Sequence, residues 1–180
     1  ENMARILDVT ENMALVPNAA LDEGALWWPA LEISGTTESF KEHFKESTAS
    51  NVIHYLAMDR NNPSSIYSTL YSARENARAV RVALTTETWE NINGLWLEFS
   101  QFDADNLTTN GLHEFCEWVK SRSHLFRGVS AGTMLQDDAY HFLRLGTFIE
   151  RADNTARILD VKYHVLLPAA TDVGGSVDHF

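Results

Sequence analysis

The stretch "DDAYHFLRLGTFIERADNTARILDVKYHVLL", Asp137 to Leu167, carries the clearest period in the chain. Phe142, Leu145, Ile149, Ala152, Ala156, Leu159, Tyr163 and Leu166 fall at alternating steps of three and four, which gathers them on one stripe of an α-helix. Pro168 supplies the stop. The spacing predicts a long amphipathic helix over about 137–167, with the stripe as its buried side.

Working outward, six letters of that helix recur: Ala156 to Val161, "ARILDV", also stands at Ala4 to Val9. Glu1-Asn2-Met3 parallels Asp153-Asn154-Thr155. Downstream, Pro17 parallels Pro168, and Asp22-Glu23-Gly24 parallels Asp172-Val173-Gly174. A separation this long does not suit the 20–50-residue units of a solenoid. It predicts two related halves opening on the same helix near residues 1 and 137, the second truncated. Residue 1 is a Glu inside an already helical pattern, so residues 1–180 are expected to be one helical domain cut from a longer helical protein.

A second stripe, Ile66, Leu70, Ala73, Ala77, Val80 and Leu84, begins after Pro63-Ser64-Ser65, where a serine suits the N-cap. Weaker helical periods cover about 37–46, 49–59, 86–104 and 111–130, separated by turn-forming clusters such as Asp59 to Pro63 and Asp103 to Gly111. Alternating β patterns are scarce, and the fold class is read as all-α, a multi-helix bundle.

Composition narrows the function. With 25 acidic and 14 basic residues the formal charge is −11, which disfavours nucleic acid and anionic membranes alike. No apolar run reaches the length of a membrane span. The one cysteine, Cys116, forms neither an internal disulfide nor a Cys-rich metal site, so a reducing, cytoplasmic location is the default. Its neighbours Glu114 and Glu117 should raise a thiol pKa, which argues against a Cys116–His113 nucleophile. Carboxylate-bridged metal bundles need a Glu-x-x-His on each of two helices. The nearest matches here are Asp138-x-x-His141 and the pair Asp160 and His164, and neither metal nor cofactor is expected.

Beside the long apolar stripe lies a flank of Leu143, Thr147, Glu150, Asn154, Arg157, Val161 and Val165, in which charged and amide groups interrupt a row that is apolar at its ends. Such groups need partners when covered. Asp153 and Asp160 stand at pairing distance from Arg157 on the same helix. The middle helix offers Tyr67, Tyr71, Arg74, Arg78 and Arg81 at helical spacing. Those guanidiniums either pair with Glu150, Asp153 and their repeat counterparts across the bundle or form an anion or carboxylate site for a ligand. Trp27-Trp28-Pro29 reads as a loop in which one indole caps a partner surface, because adjacent indoles do not both face one core.

Taken together, "FLRLGTFIERADNTARILDVKY" (142–163), "ENMARILDV" (1–9), "SARENARAVR" (72–81), "TWENIN" (88–93) and "FRGVSAGTMLQDDAYHFLRLG" (126–146) resemble the alpha-E domain, a bacterial all-helical family named for its Glu-Arg motif. The resemblance places that motif on Glu150-Arg151, followed by Asn154 and Arg157, and a middle motif on Arg74, Glu75, Asn76 and Arg78. It implies a longer parent protein. It also implies circularly permuted ATP-grasp proteins or transglutaminase-like peptidases as partners, and hence peptide or amide chemistry nearby.

Three functional readings follow. One is a non-enzymatic helical module that docks an ATP-grasp type ligase or presents its peptide substrate. Another is an enzyme of amide chemistry, with Glu150, Asn154 and Arg157 facing Arg74 and Arg78. The last treats the polar rows as ion pairs that lock the bundle. Exposed cut faces are expected to drive self-association.

Overall fold

The computed structural model describes residues 1–15, 23–104, 107 and 111–166, and among them there are helices and turns but no strand. Among the described residues eight α-helices follow one another: α1 (Asn2–Ala14), α2 (Glu23–Ser34), α3 (Thr37–His43), α4 (Ala49–Ala57), α5 (Ile66–Ala79), α6 (Thr86–Phe99), α7 (Leu112–Thr133) and α8 (Asp138–Leu166). The all-α bundle read from the sequence is the observed class. Pro17, Asp22, Pro168 and the segments paralleled after them lie outside the described residues, apart from Glu23 and Gly24.

Local chemistry sets the helix starts. Thr48, Ser65 and Thr85 are extended N-caps whose hydroxyl oxygens accept from the amides of Asn51, Ser68 and Thr88 at 3.3, 3.0 and 3.2 Å. Each satisfies one of the orphan amides of a first turn. The turn between α4 and α5 is built from buried polar groups. Asn62 donates to the Tyr55 carbonyl at 2.9 Å and accepts from Ser64 N–H at 2.9 Å, while Ser65 Oγ donates to the Asp59 carbonyl at 2.7 Å. The second helix of the sequence reading ends earlier than its apolar stripe: α5 stops at Ala79, and Arg81–Ala83 form a single 3₁₀ turn.

The core gathers Ala4 and Leu7 of α1, Trp27, Ala30 and Leu31 of α2, Val52, Tyr55 and Leu56 of α4, Phe99 of α6, and Phe115, Cys116 and Val119 of α7. Helix α1 lies against α2, α4 and α7, and α6 bridges α5 and α7. An aromatic layer of Tyr67, Trp96, Phe99, Phe102, Phe115 and Trp118 fills the space between α5, α6 and α7 with tilted and edge-on contacts.

Two expectations are overturned. Trp27-Trp28-Pro29 is not a loop but the middle of α2, with Pro29 inside the helix on its exposed side. Adjacent helical positions are about 100° apart, so Trp27 enters the core at 4% exposure while Trp28 stays at the rim. There its indole N–H donates to Glu32 at 2.8 Å and Lys41 sits over its ring. Burial of Trp27, Ala30 and Leu31 outweighs the backbone hydrogen bond that Pro29 forfeits.

The second correction concerns α8. Its apolar stripe faces outward: Phe142 is 71%, Ile149 60% and Leu159 61% exposed. The side turned to the body carries buried Tyr140 and half-buried Leu143, Thr147, Asn154 and Val161, most of the flank read as interrupted. Periodicity tells which residues share a side of a helix, not which side meets a neighbour. The neighbour here is chiefly α2.

Candidate ligand-binding site

Helix α8 meets the start of α1 in a cleft of about 340 Å³, where Asn2, Glu150, Asp153, Asn154 and Arg157 stand against walls that include the apolar Met3, Ile66, Leu70 and Val119. Asn2 Nδ2 donates to Glu150 Oε1 at 2.9 Å, so an amide from α1 and a carboxylate from α8 tie the two helices. Asn154 Nδ2 donates to the Glu150 carbonyl at 2.9 Å, one turn back on its own helix. Arg157 Nε donates to Asp153 Oδ2 at 2.8 Å, the same i,i+4 pairing that Arg5 makes with Glu1 at 2.8 Å in the other "ARILDV" helix. That bond to Asp153 holds the Arg157 guanidinium above its usual pKa.

The remainder of the Arg157 side chain lies over Gly35. This glycine has φ +66°, and a Cβ built on it would run into the guanidinium. It closes α2 in a left-handed cap, with Thr36 N–H on the Leu31 carbonyl at 3.1 Å and Gly35 N–H on the Glu32 carbonyl at 3.0 Å. A backbone stop on one helix thus makes room for a charged side chain of another.

The arginines of α5 and of the 3₁₀ turn after it do not join this cleft. Arg74 donates to Asn93 of α6 at 2.9 Å and to Glu75 at 2.9 Å, and Arg78 lies 3.6 Å from the same Glu75. Arg81 donates to the Leu84 carbonyl at 3.2 Å and covers the Trp89 ring. None of the three lines the cleft with Glu150. Asn76, the remaining residue of that segment, is exposed, and its carbonyl accepts from Val80 N–H at the end of α5.

Arg151, next to Glu150, points to a different depression. It borders a pocket of about 240 Å³ between α7 and α8, together with Arg127, Ser130, Tyr140, Leu143, Arg144, Thr147 and Phe148. Arg127 is neutralised by Glu1. Arg144 stacks on Tyr140 and Phe148, and among the described residues neither it nor Arg151 has a carboxylate partner. Ser130 and Thr147 give their hydroxyl hydrogens to the carbonyls of Phe126 and Leu143 at 2.8 and 3.3 Å. Arg144 Nη1 also donates to Tyr140 Oη at 3.4 Å, so the donors left for a ligand are the remaining N–H groups of Arg144, the Arg151 guanidinium and the Tyr140 hydroxyl, above an apolar floor. Arg127 and Arg144 escaped the sequence reading because they sit on two helices with no shared spacing.

Against known families, the model of Alpha-E, described as a predicted alpha-helical domain with a conserved ER motif, matches residues 1–179. The chain belongs to the Alpha-E family. It contains one Glu-Arg dipeptide, Glu150-Arg151, whose two side chains open on the two concavities just described. No curated protein and no solved structure matches the chain.

Elsewhere in this Alpha-E chain, Asp8, Glu11 and His113 bring three ligand-type atoms within 4.8 Å of one another, a grouping absent from the sequence reading because it spans α1 and α7. Lys120 Nζ already sits 2.7 Å from Asp8 Oδ2, and His113 Nδ1 lies 3.0 Å from Oδ1. Burial would raise the Asp8 pKa, but the hydrogen bonds from Lys120 and His113 prevail and lower it. The group is an ion-pair network supplied with its own cation. Cys116 is fully buried, and burial, then the charges of Asp8 and Glu11, push its thiol up to about 12. Such a thiol is not a nucleophile at neutral pH. Asp138 and His141 are both exposed at the start of α8. The side chain of His164 lies outside the described residues.

Proposed function

We propose that this Alpha-E protein is a helical binding module whose ligand offers a carboxylate to Arg144 and Arg151. The observation that carries the reading is this pair of guanidiniums, without an acidic partner among the described residues, in a chain with an excess of acids, over an apolar floor. Guanidinium forks suit carboxylate geometry, and an apolar floor favours a ligand whose charged end is attached to a hydrocarbon or peptide body. Glu150 has a different part: its bond to Asn2 fastens α8 to α1. In this reading the Glu-Arg pair divides its work, the acid holding the helix and the base meeting the ligand.

The partner class implied by the family resemblance, an ATP-grasp type ligase of peptide-like amides, makes products that carry such carboxylates. The module then docks that ligase or holds its peptide, and carries out no bond-making step itself. Calorimetric titration of the full chain with the ligase product, as free acid and as amide, tests this. The free acid is expected to bind and its amide at least about tenfold more weakly, the loss of a charge-assisted pair. Arg151→Gln should abolish that discrimination with the melting temperature unchanged. Equal binding of acid and amide, or of neither, overturns the reading.

A further inference from the structure

The outward row of α8 is more regular than a scatter of exposed side chains. Phe142, Leu145, Ile149, Ala152, Ala156 and Leu159 repeat at three and four, the a and d positions of a coiled-coil seam, without a break over the described length. Of the body-facing positions, Tyr140, Thr147, Asn154 and Val161 fall at f of the same heptad, on the far side of the helix from the seam, and Leu143 falls at b. Among the described residues the exposed apolar row is contiguous.

We infer that this row is the interface for a second copy of the chain, with α8 pairing antiparallel to its counterpart about a two-fold axis. The sequence favours this occupant because the row is complementary to itself when reversed. In one antiparallel register Phe142 faces Leu159, Leu145 faces Ala156 and Ile149 faces Ala152, so in the two inner layers a large side chain meets a small one. In a parallel pair Ala152 and Ala156 would face their own copies and leave gaps, while Phe142 would meet Phe142. Charge agrees with the antiparallel choice. The acids bordering the seam, Asp153 and Asp160, come opposite Gly146 and Ala139 rather than opposite one another. The interface is isologous, each copy giving and receiving the same surface.

Sedimentation velocity on the full chain, across a concentration series, reads the assembly. A dimer is expected, and Ile149→Glu should weaken self-association by more than about tenfold, with the helical circular dichroism and unfolding cooperativity retained because Ile149 is solvent-exposed in the single chain. Register is read by crosslinking under mild oxidation. A chain with Ile149→Cys and Ala152→Cys together should yield a covalent dimer, whereas Phe142→Cys alone should not. A chain that stays monomeric throughout overturns the inference, as does a dimer indifferent to Ile149→Glu or one crosslinked through Phe142→Cys alone, and in those cases another helix is the occupant.

Discussion

Gly35 shows how a single position couples two helices. Its left-handed backbone ends α2, and its missing side chain admits the Arg157 guanidinium of α8. An L-residue in that conformation costs about 1–2 kcal/mol before any clash is counted. Gly35→Ala is therefore expected to lower stability by at least that much, a fall of about 2–4 °C in Tm per kcal/mol for a chain of this size. Gly128 is the opposite case: it lies inside α7 and an added Cβ meets nothing within 4 Å. Gly128→Ala should raise stability by about 0.5–1 kcal/mol through helix propensity alone. Thermal unfolding of the two variants, which differ from the parent by the same methyl group, checks the sign of each. Equal shifts in one direction would mean that neither cap nor cradle governs Gly35.

Between elements, the Asp8 to Lys120 bridge joins α1 to α7 and ties stability to pH. The folded-state pKa of Asp8 is depressed, so its contribution is complete above the ordinary carboxyl value of 3.8 and disappears as pH falls through the folded value. Glu11 acts in the opposite sense, because burial raises its pKa and folding then favours its protonated form. Replacing Asp8 by Asn isolates the bridge. The variant is expected to be less stable at neutral pH, where Lys120 keeps Glu117 of its own helix but loses its tie to α1, and to lose less further stability than the parent between pH 4 and about pH 2. Denaturant unfolding at both pH values reads the difference. A parallel acid response in parent and variant would remove Asp8 from the acid transition. Elements of this kind were legible in part. Helix existence followed from period and from Ser65 as a cap, since both are written locally. The orientation of α8 and the depth of Trp27 were not, because both depend on which neighbour arrives. Pro29 inside α2 misled for the same reason: tertiary burial overrides a local breaker.

For the whole molecule, the candidate site was legible only where one helix carried it. Glu150, Asn154 and Arg157 share a cleft because their spacing required it, whereas Arg127 with Arg144 needed the packing of α7 on α8, and the α5 arginines found partners on α5 and α6 instead. The repeated hexapeptide makes the same point with identical letters. Leu7 and Leu159 occupy the same place in "ARILDV", yet Leu7 is 0% and Leu159 61% exposed. Leu7 is enclosed by α2, α4 and α7, and its removal leaves a cavity worth about 2–5 kcal/mol. Leu159 has no such enclosure within one chain, so Leu159→Ala in a chain kept monomeric by Ile149→Glu should change stability by no more than about 0.5 kcal/mol. Without Ile149→Glu, the Leu159→Ala penalty should grow with protein concentration, because each copy then supplies the cover that the other lacks. Unfolding measured at two protein concentrations separates the cases. A penalty for Leu159→Ala as large as that for Leu7→Ala, and independent of concentration, would place the second hexapeptide inside a core rather than at a surface between chains.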